Sequence, residues 1–303
     1  MIIDIKEFET LLHSINRCYA KGIADKLPRV SDFSNAFQGQ KTDTNLLLNL
    51  LDHNSNIYFK SVLLRLVAIA EFRHSRDLGL KIDTSKVYSQ ISKSIQILPS
   101  DATISSIGSQ GFLSIPLFRY DNDIAELDFI RLHIWDNSLK KYIDNKICEN
   151  FSIHTHTFHA ESWIVCGKIL NNRFKVEKSD TASNYSLFII AYNESLNEVN
   201  QHTSSANNTN TFVSVYRSSE EIYNKGDNYS INAGDFHSSN SEEENGLSAT
   251  LFCFNAQKGF VEQSYVVGPS DIASSVINRK MHIDPTGLIN RINEKIKSNE
   301  RKT

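Results

Sequence analysis

The sequence predicts a mainly β protein with α-helical additions. The β part reads as an antiparallel sandwich or barrel, with a helical region before it and a short helical extension after it. Three observations carry this reading. Apolar residues recur at helical spacing through residues 1–102. Short alternating runs separated by turn residues fill 103–268. Helical spacing then returns within 269–303.

In chain order, Ile5, Phe8, Leu11, Leu12, Ile15 and Tyr19 recur at three and four residues, the stripe of an amphipathic helix. A break from Gly22 to Pro28 follows. Thr44 is placed to cap a short helix through Leu46–Leu51. Phe59, Val62, Leu63, Leu66, Val67 and Ala70 give Phe59–Phe72 a broad apolar face, so it reads as a well-buried helix. Val87, Ile91, Ile95 and Leu98 mark a further helix, stopped by Pro99. The pattern then changes. Gly111–Pro116 and Leu127–Trp135 read as strands. In the second, Leu127, Phe129, Arg131, His133 and Trp135 share one face, and Asp128, Ile130, Leu132 and Ile134 share the other. Further strand-like runs are Ser162–Ile169, Arg173–Val176, Ser186–Tyr192, Phe212–Tyr216, Asn228–Ile231, Ala249–Phe254 and Ser264–Val267. Asn193–Asn210, rich in Asn, Ser and Thr, reads as a long surface excursion between strands. After Pro269 the chain is expected to turn helical, with a start at Asp284-Pro285 and a stripe of Leu288, Ile289, Ile292 and Ile296. The tail Lys297–Thr303 is expected to fray.

Composition narrows the function. The 303 residues are 40% hydrophobic and 22% charged, enough apolar material for a sizeable core and too much for a disordered chain. The net charge of −3 supplies no global field for a phosphate backbone, so no nucleic-acid partner is expected. No apolar run is long enough to span a bilayer, and no charged start leads into an apolar stretch. Cys18, Cys148, Cys166 and Cys253 are scattered, without the close spacing of a zinc knuckle or redox motif. They read as reduced thiols of a cytoplasmic protein, Cys166 as a buried one. No phosphate loop, nucleophile elbow or dinucleotide fingerprint is present.

Chemistry concentrates in the histidines. Three of the 10 fall in Ile153-His-Thr-His-Thr-Phe-His159. In an extended chain His154 and His156 point to one face, and His159, at odd spacing, to the other. Glu161 follows five residues after His156, and His237 stands just beyond a turn at Gly234. Imidazoles on one face with a carboxylate nearby are a ligand set for a first-row divalent metal. His133 shares its predicted face with Arg131 and Trp135.

The two segments together resemble the cupin superfamily. Its first motif runs Gly, five residues, His-x-His, three or four residues, Glu, six residues, Gly; its second runs Gly, five residues, Pro-x-Gly, two residues, His, three residues, Asn. The matching positions are His154, His156, Glu161 and Gly167, then Gly226, Gly234, His237 and Asn240. Cys148 stands at the first glycine, Asn232 replaces the proline, and the spacings before Gly167 and Asn240 are each one residue short. The resemblance implies a cupin-type antiparallel β-barrel over 103–268. It also implies one divalent metal on His154, His156, Glu161 and His237: Fe(II) first, with Zn, Mn or Ni as alternatives. Within the cupins the layout is similar to the cysteine and thiol dioxygenases. That likeness implies a non-haem iron dioxygenase using O2 on a small polar metabolite such as a thiol or amino acid. It places Arg119 as a carboxylate-binding residue, with Arg131, His133 and Trp163 as further substrate contacts. Trp163, Val165, Phe252 and Phe254 are candidates for the walls that keep water out. Glu161 and Phe254 stand where the animal enzymes carry their crosslinked cysteine and tyrosine. The alternatives are a ligand-binding or regulatory cupin and a non-redox isomerase or lyase. A homodimer is a family-level expectation.

Overall fold

The computed structural model describes the chain except residues 109, 193–202, 279, 282 and 301–303. Helices α1 (Ile5–Asn16), α2 (Thr44–His53), α3 (Ile57–Asp77) and α4 (Thr84–Gln96) form the N-terminal region. Two short strands, β1 (Ile2–Asp4) and β2 (Lys41–Asp43), pair at its edge. Each helix begins at a side-chain cap: Asp4, Asp43, Asn56 and Asp83 accept hydrogen bonds from backbone N–H groups of the first turn, meeting donors that have no intrahelical partner. The cap of α2 is Asp43, and Thr44 is its first residue. The break after α1 is a 3-10 turn, Lys21–Lys26.

The remaining strands make two antiparallel sheets. They are β3 (Ser106–Ile107), β4 (Leu113–Tyr120), β5 (Asp128–Trp135), β6 (Phe158–Cys166), β7 (Lys168–Lys178), β8 (Tyr185–Tyr192), β9 (Thr203–Asn224), β10 (Asn228–Ile231), β11 (Phe236–Ser241), β12 (Ser248–Phe260), β13 (Tyr265–Pro269), β14 (Ser274–Asn278) and β15 (Lys280–Met281). A short helix, α5 (Asn145–Asn150), lies between β5 and β6, and α6 (Thr286–Glu300) ends the described chain. The first sheet has the order β10-β6-β12-β5-β4-β3-β15. The second runs β11-β7-β9-β8-β13, with β14 pairing the start of β9. Mixed α and β structure with antiparallel sheets is therefore what the fold shows. The strands pair as two sheets rather than as one closed ladder.

The first sheet is covered on both faces. Even-numbered residues of β5, Ile130, Leu132 and Ile134, join a core with the helices, including Leu63, Leu66, Ile69 and Phe72 of α3. Asp128 on that face receives a two-pronged hydrogen bond from Arg76 (2.8 Å each) and another from Arg73 (2.8 Å), fastening α3 to the sheet. Trp135, Ala160, Ile164, Tyr229, Ile231 and Phe252 form a second core on the opposite face, toward the second sheet.

The chain passes from one sheet to the other at Gly167, whose φ of +74° is the left-handed region. A Cβ there would come within 2.6 Å of the Leu247 carbonyl, so the corner needs glycine. This corner divides the predicted run Ser162–Ile169 between β6 and β7. Two further expectations change. Of the polar stretch Asn193–Asn210, 193–202 lies outside the described residues and 203–210 is strand, paired with β8 and β14. After Pro269 the chain forms β14 and β15 before α6 begins. Helix α6 continues through residues expected to fray, and 301–303 lie outside the described residues. No helix among the described residues is long and apolar enough to cross a membrane.

Candidate metal centre

Backbone pairing brings the two histidine segments together. His154 and His237 face each other as an antiparallel pair that exchanges both backbone hydrogen bonds, N to O at 3.0 Å each way. Side chains of such a pair project to the same side. His156, two residues on from His154, shares that side, and its carbonyl accepts from Gly234 N–H at 3.0 Å. On the other flank Thr155 N–H donates to the Tyr265 carbonyl at 2.8 Å, so the segment before β6 is held between β11 and β13.

The result is a triangle of imidazoles. Ring centroids lie 4.3 Å apart for His154 and His237, 4.7 Å for His156 and His237, and 4.9 Å for His154 and His156. One nitrogen from each ring falls within 4.8 Å of the others. Nδ1 of His154 is 2.9 Å from the Ser152 carbonyl, and Nδ1 of His237 is 3.4 Å from the Asp235 carbonyl. A carbonyl at Nδ1 fixes the tautomer with its proton there and leaves Nε2 as a lone-pair donor, the outer support of metal-binding histidines. Removal from bulk water lowers the pKa of all three rings. At His237 and His156 the neighbouring rings lower it further, and both stay well below the ordinary imidazole value. At His154 the Ser152 carbonyl opposes the shift. The triad is therefore neutral at physiological pH, the form that ligates metal.

The triad opens on a cavity of about 160 Å³ between the two sheets. Arg131, His133 and Trp135, which the alternation sets on one face of β5, line it. Phe252 and Phe254 of β12 complete an aromatic wall. The His133 ring lies between Phe112 (4.2 Å, 29°) and Phe252 (4.6 Å, 21°), and its Nε2 is buried with no hydrogen-bond partner among the described residues. Burial, and then the Arg131 charge, hold His133 neutral. Arg131 lies over the Phe129 ring at 3.9 Å and leans on Phe254 at 5.9 Å.

Three predicted site residues lie elsewhere. Glu161 is on the opposite face of β6, where both carboxylate oxygens accept from Lys258 Nζ at 2.9 and 3.0 Å. The cause is parity. Phe158 follows His156 by two residues and lines the cavity, whereas Glu161 follows by five and turns outward. Trp163 shares Glu161's face and packs edge-on against Phe72 of α3 at 4.9 Å, so it walls the helical core instead of the cavity, as does Val165. Arg119 pairs in register with Phe129, beyond an irregularity at Pro116, and is ion-paired to Asp121 at 2.5 Å; it does not line the cavity. A proline cannot donate to the ladder, which accounts for the irregularity. Sequence reading missed the cavity residues Phe112 and Ser239. Phe112 falls inside the predicted run Gly111–Pro116, but β4 begins one residue later, at Leu113. Cys166 is buried as expected, its thiol pushed up to about 11 by desolvation.

If Glu161 is not a ligand, its charge does not hold a metal. Glu161→Gln is expected to leave metal content unchanged and to cost no more than about 1 kcal/mol of stability, the scale of a partly exposed ion pair. Elemental analysis and a denaturant titration check both. A loss of bound metal would return Glu161 to the ligand set.

No protein-family model and no curated protein matches this chain. Among solved structures it is similar to hydroxypropylphosphonic acid epoxidase from S. wedmorenis, with 8% identity over 70% of this chain and 95% of that one and a TM-score of 0.27. The Fe(II) form of HppE has 10% identity over 80% and 98% of the two chains, with a TM-score of 0.28. Fe(II)-HppE with the alternative substrate (S)-1-HPP has 11% identity over 80% and 97%, with a TM-score of 0.29. A likeness at these scores carries no functional argument.

Proposed function

We propose that this chain is a metal-dependent enzyme of cupin type, holding one divalent metal on His154, His156 and His237. We read it as a non-haem iron dioxygenase of a small polar metabolite. The observation that carries the reading is the convergence of three neutral imidazoles, from two distant segments, on one wall of a cavity between the sheets. Imidazole suits Fe, Zn, Cu and Ni, and three nitrogen ligands leave coordination positions open. Fe(II) bound there supplies vacant positions for a substrate and for O2.

The chain's own residues account for the rest. The Ser152 and Asp235 carbonyls orient two of the rings. Phe252 and Phe254 flank His156 as an apolar wall (ring centroids 5.7 and 5.0 Å away), which lowers the local dielectric and strengthens electrostatic contacts beside it. Tyr229 brings a hydroxyl to the cavity, 3.2 Å from that of Ser239, as a polar contact for a bound metabolite.

The test is elemental analysis of protein purified without chelator, followed by O2-electrode assays of the Fe(II)-loaded chain with a panel of thiols and amino acids. Near-stoichiometric iron and substrate-dependent O2 uptake are expected. Bound zinc or nickel with no O2 uptake moves the reading to a non-redox isomerase or lyase. Absence of any bound metal favours a ligand-binding cupin.

A further inference from the structure

We propose that the Tyr229 phenol oxygen is a directed hydrogen-bond acceptor in the cavity, fixed from behind by Glu221, and that it selects a ligand bearing a hydroxyl or ammonium group. This rests on the proposed metal centre for the ligand's anchored end, and on separate observations for the acceptor.

The first observation is a chain of side chains leading from the cavity into the second sheet. Tyr229 Oη lies 3.2 Å from Ser239 Oγ, Ser239 Oγ 3.0 Å from Asn171 Oδ1, and Asn171 Nδ2 3.1 Å from Glu221 Oε2. Tyr229 and Ser239 line the cavity, and Asn171 is buried behind them. Each link has one allowed direction. Glu221 accepts from Arg173 Nε at 3.0 Å, Tyr223 Oη at 2.9 Å and Ser219 Oγ at 3.1 Å. Burial raises its pKa, but Arg173, Asn171 and Tyr223 outweigh that and keep the carboxyl ionised at neutral pH. An ionised carboxylate only accepts, so Asn171 turns its NH2 to Glu221 and its carbonyl oxygen to Ser239. That carbonyl oxygen also only accepts, so Ser239 donates its one proton to Asn171. Ser239 is then an acceptor toward Tyr229, and Tyr229 donates its proton to Ser239. The phenol oxygen faces the cavity with lone pairs only. The Ser162 hydroxyl is a neighbour of that oxygen, and a second lone pair remains for a ligand.

The second is the placement of this acceptor. Ser239 follows His237 by two residues on β11 and both line the cavity, so Ser239 stands one step, roughly 7 Å, along the same strand face from the triad. The Tyr229 ring is stacked on Tyr223 (4.7 Å, 26°), and β10 is paired to β6. Arg173 bonds both Glu221 and the Ser230 carbonyl beside Tyr229, at 2.8 Å, so the far end of the chain is tied to the strand that carries its near end. A small molecule anchored on the metal meets Tyr229 with its next polar group. A hydroxyl or ammonium there donates to the phenol oxygen. An ether or carbonyl sets lone pair against lone pair and desolvates the oxygen without a bond in return. Asn171 and Glu221 touch no ligand; they are positioning residues that set the direction.

The experiment is anaerobic calorimetric titration of the full chain, as purified and after chelator treatment. The probes are 2-mercaptoethanol, cysteamine, 2-methoxyethanethiol and 1-propanethiol, with 1-butanethiol as the size control for the ether. Tyr229→Phe, Ser239→Ala and Glu221→Gln are compared with wild type. The better of the hydroxyl and ammonium probes is expected to bind at least about tenfold tighter than 1-propanethiol, and the ether no tighter than 1-butanethiol. Tyr229→Phe is expected to erase the preference for a donor. Ser239→Ala frees the phenol proton and Glu221→Gln lets the chain reverse. Each is expected to improve the ether at least about threefold with 1-propanethiol unchanged, a gain that loosened packing does not give. Tighter 2-mercaptoethanol assigns a hydroxyl to the ligand; tighter cysteamine assigns an ammonium. Wild-type binding without preference for either donor probe, or with the ether held as tightly as the alcohol, overturns the acceptor. So does a donor preference that survives in a folded Tyr229→Phe; if that variant does not fold, an ether still rejected by both Ser239→Ala and Glu221→Gln does so. The two readings fail separately. A Tyr229-dependent preference in a chain that holds no metal removes the metal enzyme and keeps the acceptor. Bound metal with no donor preference does the reverse.

Discussion

Replacing His237 by alanine is expected to abolish stable metal retention while leaving the chain folded. His237 supplies one of three nitrogens, and its backbone pairing with His154 does not depend on its side chain. Removing an outer hydrogen bond from a metal-bound histidine costs roughly 10- to 100-fold in affinity, and removing a ligand costs more. The lost ring borders an existing cavity, so truncation enlarges that space without emptying the apolar core. Elemental analysis beside a circular-dichroism melt separates the two effects. Unchanged metal content in a folded His237→Ala chain would remove the triad as the metal site.

The second large effect is structural. Asp128 is buried on the helical face of the first sheet, beneath Arg73 and Arg76. Asp128→Ala leaves Arg76, itself buried, without its two-pronged partner. Breaking a buried pair from one side costs about 3–5 kcal/mol, because the remaining charge stays desolvated. The midpoint of urea unfolding should fall accordingly with little change in slope. A shift under about 1 kcal/mol would mean that α3 is held to the sheet by apolar packing alone. The same group imposes a pH dependence. Burial raises the Asp128 carboxyl pKa, but the hydrogen bonds and charges of Arg76 and Arg73 outweigh it and hold the pKa below the usual aspartate range. A depressed folded pKa stabilises the protein above the unfolded value of about 3.9, and that stability is lost as the pH falls toward and through the folded value. Asp128→Asn should flatten this acid limb.

Much of this arrangement was legible residue by residue. The three- and four-residue spacing places α1, α3 and α4, because a helix with one buried stripe writes its period into the sequence. Alternation in Leu127–Trp135 separates the cavity face, Arg131, His133 and Trp135, from the helix face, Ile130, Leu132 and Ile134. The parity rule that sends His159 away from His154 and His156 applies equally to Glu161. The motif match makes Glu161 a ligand, whereas strand parity sets it on the face of β6 away from the triad, against Lys258. Asn, Ser and Thr favour turns, so by composition 203–210 reads as a loop. In the fold 204–207 pair on both sides, with β8 and β14, and backbone hydrogen bonding overrides side-chain preference there.

Local periodicity in the sequence marks which segments are helix or strand, and which side chains within a segment share a face. Two matters were decided only by tertiary structure. His237 meets His154 because β11 lies against the segment before β6, a pairing between residues 83 positions apart that no local pattern encodes. Alternation also could not say which face of β6 looks into the cavity. Ala160, Ser162 and Ile164 are buried on one face, and Trp163 and Val165 on the other. A sheet covered on both sides is apolar on both sides, so its pattern marks two faces without ranking them. Only the packing of helices against one face and of the second sheet against the other turned the histidines inward and Glu161 out.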